Sequence, residues 1–120
     1  MPDEIITLAR VKSGELNFCT GCKSYHLSFN NLFFSLNAKE FIRLKEYIND
    51  IEVDYWEYKY SCTSLKRKIP LPSAQDNLII MFNRQEIKEL MFLLNYTQHK
   101  NSFPSFYLET DDIDYEFLIN

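Results

Sequence analysis

Apolar positions along this chain follow two rhythms, and the switches between them predict its elements. Over residues 25–30, Tyr25, Leu27 and Phe29 alternate with His26, Ser28 and Asn30, the period of a strand with one buried side. Phe41, Leu44, Ile48 and Ile51 then recur at spacings of three and four, as do Ile87, Leu90, Met91 and Leu94. Each of these stretches predicts a helix with one apolar face.

The two helices also begin alike. Asn37 and Asn83 are of the type that accepts a bond from free N–H groups of a first helical turn, and Glu40 and Glu86, three residues on, complete a capping box. The likeness extends upstream: Asn31-Leu32-Phe33-Phe34-Ser35-Leu36-Asn37 aligns without a gap on Asn77-Leu78-Ile79-Ile80-Met81-Phe82-Asn83. At the same offset Leu44 falls on Leu90 and Asn49 on Asn95. Two copies of a strand-then-helix unit are the simplest reading, and two are too few for a solenoid.

Leu16 to Cys19 and Tyr25 to Leu36 have strand character, flank the Cys19-Thr20-Gly21-Cys22 turn, and contain a bend at Asn30-Asn31. Glu52 to Tyr60 and Arg67 to Leu71 read as the matching hairpin of the second half, with 61–66 as its loop and Pro70 and Pro72 placing the end of its second strand at an edge or at its termination. Glu4 to Val11 adds a short strand. The expected architecture is α+β: a mainly antiparallel sheet with two helices on one face, in a pseudo-twofold duplication of a hairpin–strand–helix unit. Residues 1–120 make a single domain, with repeat halves at about 14–50 and 51–96 and a C-terminal appendage at 97–120 that contains the strand-like 103–108 and an acidic stretch.

Composition narrows the class. At 46% hydrophobic, with 10 Phe and 8 Tyr, the chain is too apolar for disorder. Its net charge of −4 disfavours sequence-independent attraction to phosphate backbones. The start, Met1-Pro2-Asp3-Glu4, has no secretory pattern, and no apolar stretch approaches the ~20 residues that span a bilayer, so the expected location is cytoplasmic, with no membrane partner. Gly14 and Gly21, the only glycines, satisfy neither the phosphate loop nor the dinucleotide fingerprint.

Chemistry concentrates at Cys19 and Cys22, a C-x-x-C knuckle whose spacing lets two thiolates grip one tetrahedral metal ion, with Gly21 free to take a positive φ in the turn. A structural zinc needs four ligands; Cys62, in the loop that the repeat sets against the cysteine turn, is a candidate third, and His26 or His99 a candidate fourth. A redox pair and inert packing thiols are the other readings, the redox one being weaker because the motif joins two strands rather than opening a helix. Trp56, Tyr58 and Tyr60, on one face of the expected strand, with Lys66, Arg67 and Lys68 nearby, make a candidate surface for stacking bases and neutralising phosphates. The plainer account is cross-strand aromatic packing beside a solvated basic loop.

The strings Cys19-Thr20-Gly21-Cys22, Tyr25-His26-Leu27-Ser28-Phe29-Asn30-Asn31-Leu32-Phe33-Phe34, Tyr55-Trp56-Glu57, Arg67-Lys68-Ile69-Pro70 and Asn77-Leu78 carry a resemblance. Over residues 14 to 95 the chain resembles a Bacteroidetes family of short C-x-x-C-containing proteins classed as a domain of unknown function. That resemblance implies no activity, substrate or catalytic residue. No Gly-x-Ser-x-Gly elbow, His-Glu-x-x-His helix or catalytic-cysteine signature occurs, and Asp111, Asp112 and Asp114 lack the spacing of a calcium loop. The leading expectation is a small non-catalytic binding or regulatory module that acts through a protein partner or a homodimer, with zinc at the knuckle as one option. A nucleic-acid-binding protein ranks second and a redox or hydrolytic enzyme third.

Overall fold

The computed structural model describes residues 4–99, so the expectations for 100–120, including the strand-like 103–108 and the acidic stretch, lie outside the described residues. Four strands, β1 (Ile5–Val11), β2 (Gly14–Cys19), β3 (Ser24–Phe29) and β4 (Leu32–Leu36), form an antiparallel sheet in chain order. Helix α1 (Ala38–Asp50) follows, then α2 (Val53–Lys59), a second antiparallel pair β5 (Ile69–Pro72) and β6 (Ile79–Phe82), and α3 (Arg84–Leu94), with a 3₁₀ turn at Tyr96–Gln98. The fold is α+β.

Alternation decides which face of the large sheet is covered. Leu16 pairs with Leu27, and Leu27 with Phe34; Leu16, Leu27 and Phe29 are fully buried on the side where α1 and α3 lie. From the helices come Ile48, Ile87, Leu90, Leu93 and Leu94, and Ile69 of β5 joins the same core. The opposite face carries His26 and the exposed Phe33, whose rings meet at 5.4 Å between centroids. Asn30, at φ 53°, turns β3 into β4, a conformation that asparagine tolerates better than most residues. Gly14 has no room for a side chain, since a Cβ there would stand 1.9 Å from the carbonyl oxygen of Ser28.

Both expected capping boxes form. Asn37 accepts the Glu40 N–H at 2.8 Å while Glu40 accepts the Asn37 N–H at 2.9 Å, and Asn83 and Glu86 exchange the same bonds at 2.8 Å each. Asn49 and Asn95, one repeat apart, also meet: each side-chain amide donates to the other's oxygen, at 3.0 and 2.8 Å.

The second half departs from expectation before its strand. Residues 53–59 are helix α2, not the first strand of a hairpin, so Trp56, Tyr58 and Tyr60 do not share a strand face. A short aromatic run fits period two and period 3.6 about equally, and tertiary contacts settle the choice. Val53 and Trp56, three apart, pack against the core. Trp56 and Tyr60, four apart, stack at 6.0 Å and 13°. Asp54 and Glu57, three apart, both bind Arg84 at the start of α3. Seven residues are too few for a self-standing helix, so these contacts hold it. Strand then helix recurs at β4–α1 and β6–α3, while the hairpin expected over Glu52 to Leu71 does not form.

Candidate functional site

Two places gather chemistry. The first is an aromatic cleft where α1 ends and α2 begins, about 480 Å³ in volume, with Tyr47, Tyr55 and Trp56 as walls and Glu46, Asp50 and Glu52 at its rim. Its position follows from the chain path: α1 stops at Asp50, Ile51 is extended and packs against the core, and α2 starts at Val53. Tyr47 is fixed by donating its hydroxyl to the Pro70 carbonyl at 2.7 Å, and burial pushes that phenol above its ordinary pKa. Tyr55 sets its ring edge to face against Trp56 at 5.0 Å and 80°, and remains 50% exposed.

Charge around the cleft is uneven. Arg84 binds Glu57 through Nε and Nη2 at 3.2 and 2.7 Å and also pairs with Asp54, and these bonds raise its pKa further. None of Glu46, Asp50 and Glu52 makes an ion pair among the described residues. The Lys59 ammonium lies over the rings of Trp56, Tyr60 and Tyr55, at 5.1, 5.8 and 5.9 Å from their centroids.

The second place is the cysteine turn. Cys19 ends β2, opposite Ser24 and Ile5, and is 3% exposed, whereas Cys22 is exposed. The Cys22 N–H donates to Cys19 Sγ at 3.5 Å. A side-chain bond with Cys22 pushes the Cys19 thiol up, and the same bond, with one from Ser24, lowers Cys22. The residue with positive φ is Lys23, at 54°, and not Gly21, because the four-residue turn places its left-handed position last.

The other sequence-derived candidates scatter. Cys62 is exposed in the loop after α2, and since 53–59 is a helix and not the first strand of a hairpin, the expected equivalence of that loop to the cysteine turn has no structural counterpart. His99 stacks on Phe92 at 4.3 Å and 8°, its pKa lowered by burial. Among the described residues no three or more His, Cys, Asp or Glu side chains gather as metal ligands, so Cys19 and Cys22 come together but Cys62 and His26 do not complete a set with them. In the basic stretch, Arg67 holds Glu86 through two bonds at 2.8 and 2.9 Å, Lys68 donates to the Leu65 carbonyl, and Lys66 stands exposed. Tyr58 is 81% exposed.

A model described as "Family of unknown function (DUF6686)" matches residues 1–120, the whole chain rather than the 14–95 over which the resemblance was read. The chain belongs to this family. No curated protein and no solved structure matches it.

Sequence reasoning passed over Glu46, Tyr47, Asp50, Glu52 and Tyr55 as a group. The signal was there in part: Glu46 and Asp50 close a predicted helix at the end where basic residues are favoured. Reading 52–60 as a strand hid the cleft, because only a helix beginning at Val53 brings Tyr55 and Trp56 back beside α1.

Proposed function

We propose that this protein is a small non-catalytic binding module that acts through a protein partner, with the outer surface of α1 and α2 as its contact. The observation that carries this reading is the presentation of Tyr55 and Tyr58 to solvent on a helix otherwise anchored through Val53, Trp56 and the Arg84 bonds. Tyrosine and tryptophan are enriched where partners bind, since each offers large area at low conformational cost. The test is photo-crosslinking in cells of the source organism, with p-benzoylphenylalanine in place of Tyr58. A discrete protein adduct is expected there and none from a control at the exposed Asp76 in the β5–β6 loop; no adduct at position 58 would overturn the reading.

The base-stacking alternative ranks below this reading, since Arg67 is engaged by Glu86 and Glu46, Asp50 and Glu52 line the cleft with Trp56. One observation favours a second reading. The Cys22 N–H meets Cys19 Sγ at the turn, and the exposed Cys22 is shifted toward thiolate while the buried Cys19 is shifted the other way; the pair suits half of a tetrahedral zinc site completed by the same turn of a second copy. Native mass spectrometry of zinc-replete protein is expected to show two chains per zinc and to lose the dimer in Cys22→Ser. A metal-free monomer under the same conditions would remove this reading.

A further inference from the structure

We infer that the cleft between α1 and α2 docks a lysine- or arginine-bearing segment of a partner protein, with a cationic side chain held between the Tyr55 and Trp56 rings and the carboxylates at the rim. The inference rests on the binding-module reading and adds to it the chemistry of the partner.

Helix electrostatics supply the first ground. The last carbonyls of a helix carry partial negative charge and favour cations, yet the last turn of α1 has no basic residue. Instead Glu46 and Asp50 stand four apart, a spacing at which like charges repel, and Glu52 follows as the N-cap of α2 without a side-chain capping bond. The missing base and the Glu46–Asp50 repulsion raise the energy of the protein alone, whereas Glu52 is favourably placed at the start of α2. A positive charge brought to the rim would offset the Glu46–Asp50 repulsion and complement the negative end of α1.

The walls supply the second ground. Aromatic faces attract ammonium and guanidinium groups, and the Lys59 ammonium already lies over the same Trp56 and Tyr55 rings although Lys59 does not line the cleft. This surface therefore accepts an alkylammonium where one is tethered within reach.

Shape distinguishes among cations. The three rim carboxylates do not gather as metal ligands, so they suit an extended, diffuse cation better than a compact metal ion. A cleft of about 480 Å³, open to solvent and lined by the exposed Tyr55, has room for one or two long side chains and lets the backbone carrying them continue across the surface.

Trp56 is the only tryptophan of the chain, so its emission reports on the cleft directly. Tetralysine titrated into the full-length protein at low ionic strength is expected to change that emission saturably, with weaker binding as salt is added. Fully acetylated tetralysine is expected not to bind. A variant carrying Glu46→Gln, Asp50→Asn and Glu52→Gln is expected to bind tetralysine about tenfold more weakly. All three residues are exposed, and an unchanged circular dichroism spectrum would show that the variant folds. The segment linked to position 58 by photo-crosslinking is expected to contain lysine or arginine. Equal binding of the acetylated and free peptides, undiminished binding by the triple variant, or a linked segment without basic residues would overturn the inference and leave the binding-module reading in place. Absence of any adduct at position 58 would overturn that reading itself.

Discussion

Glu86 takes four bonds at once. Its Oε1 accepts the Asn83 N–H and Arg67 Nε, each at 2.8 Å, and its Oε2 accepts Arg67 Nη2 at 2.9 Å and the Asn30 amide at 3.2 Å. One carboxylate thus ties the β3–β4 turn, the loop before β5 and the start of α3 together. Only the capping bond was legible in the sequence, because it is local, whereas Arg67 and Asn30 are brought in by the fold. At 6% exposure, burial pushes the carboxyl pKa up, but the Arg67 and Asn83 bonds, the Arg67 charge and the Asn30 amide outweigh it and hold the pKa below the ordinary 4.5. A folded pKa below the unfolded one means that this stabilisation is fully present above the unfolded value and is lost as pH falls through the folded one. Glu86→Gln is therefore expected to cost on the order of 1–3 kcal/mol at neutral pH. Thermal melts of both proteins down to about pH 3 should show that difference shrinking with acidification. A gap that stays constant with pH would mean that the charge is not what stabilises.

At the scale of the element, the ends of α1 differ in quality. Its start has a complete capping box, while its finish sets Asp50 and Glu46 against the negative end of the helix. Asp50→Asn is expected to raise stability by about 0.3–1 kcal/mol, and Asp50→Lys by somewhat more, read as a shift in denaturant midpoint with an unchanged slope. A drop in either variant would show that the carboxylate has a stabilising partner and would take away the electrostatic ground for cation docking. α2 was the element least legible in sequence. Its seven residues are too few for periodicity to separate helix from strand, and the contacts that decide the matter, from Arg84 and from the core around Trp56, lie beyond its own sequence. The cysteine pair shows the opposite balance: its spacing announced two neighbouring thiols, while the backbone that joins them takes its positive φ at Lys23, where no glycine marks it.

At the scale of the whole molecule, the offset that aligns the two strand–helix units also aligns Asn49 with Asn95, and these two residues meet in the structure with reciprocal amide bonds. The alignment was legible along the chain but the contact was not, because periodicity reports spacing and not where two helices cross. Asn95 is buried and also donates to the Met91 carbonyl at 2.7 Å, so it has little water to fall back on if its partner is removed. Asn49→Ala or Asn95→Ala alone is therefore expected to cost about 1–3 kcal/mol, part of it from the amide left without its partner. The double variant, which removes both amides together, should cost less than the two single variants combined, with a coupling of about 0.5–3 kcal/mol. Urea unfolding of the four proteins measures that coupling. Strict additivity would mean that α1 and α3 are held by their apolar contacts alone and that the paired asparagines contribute nothing where the two units meet.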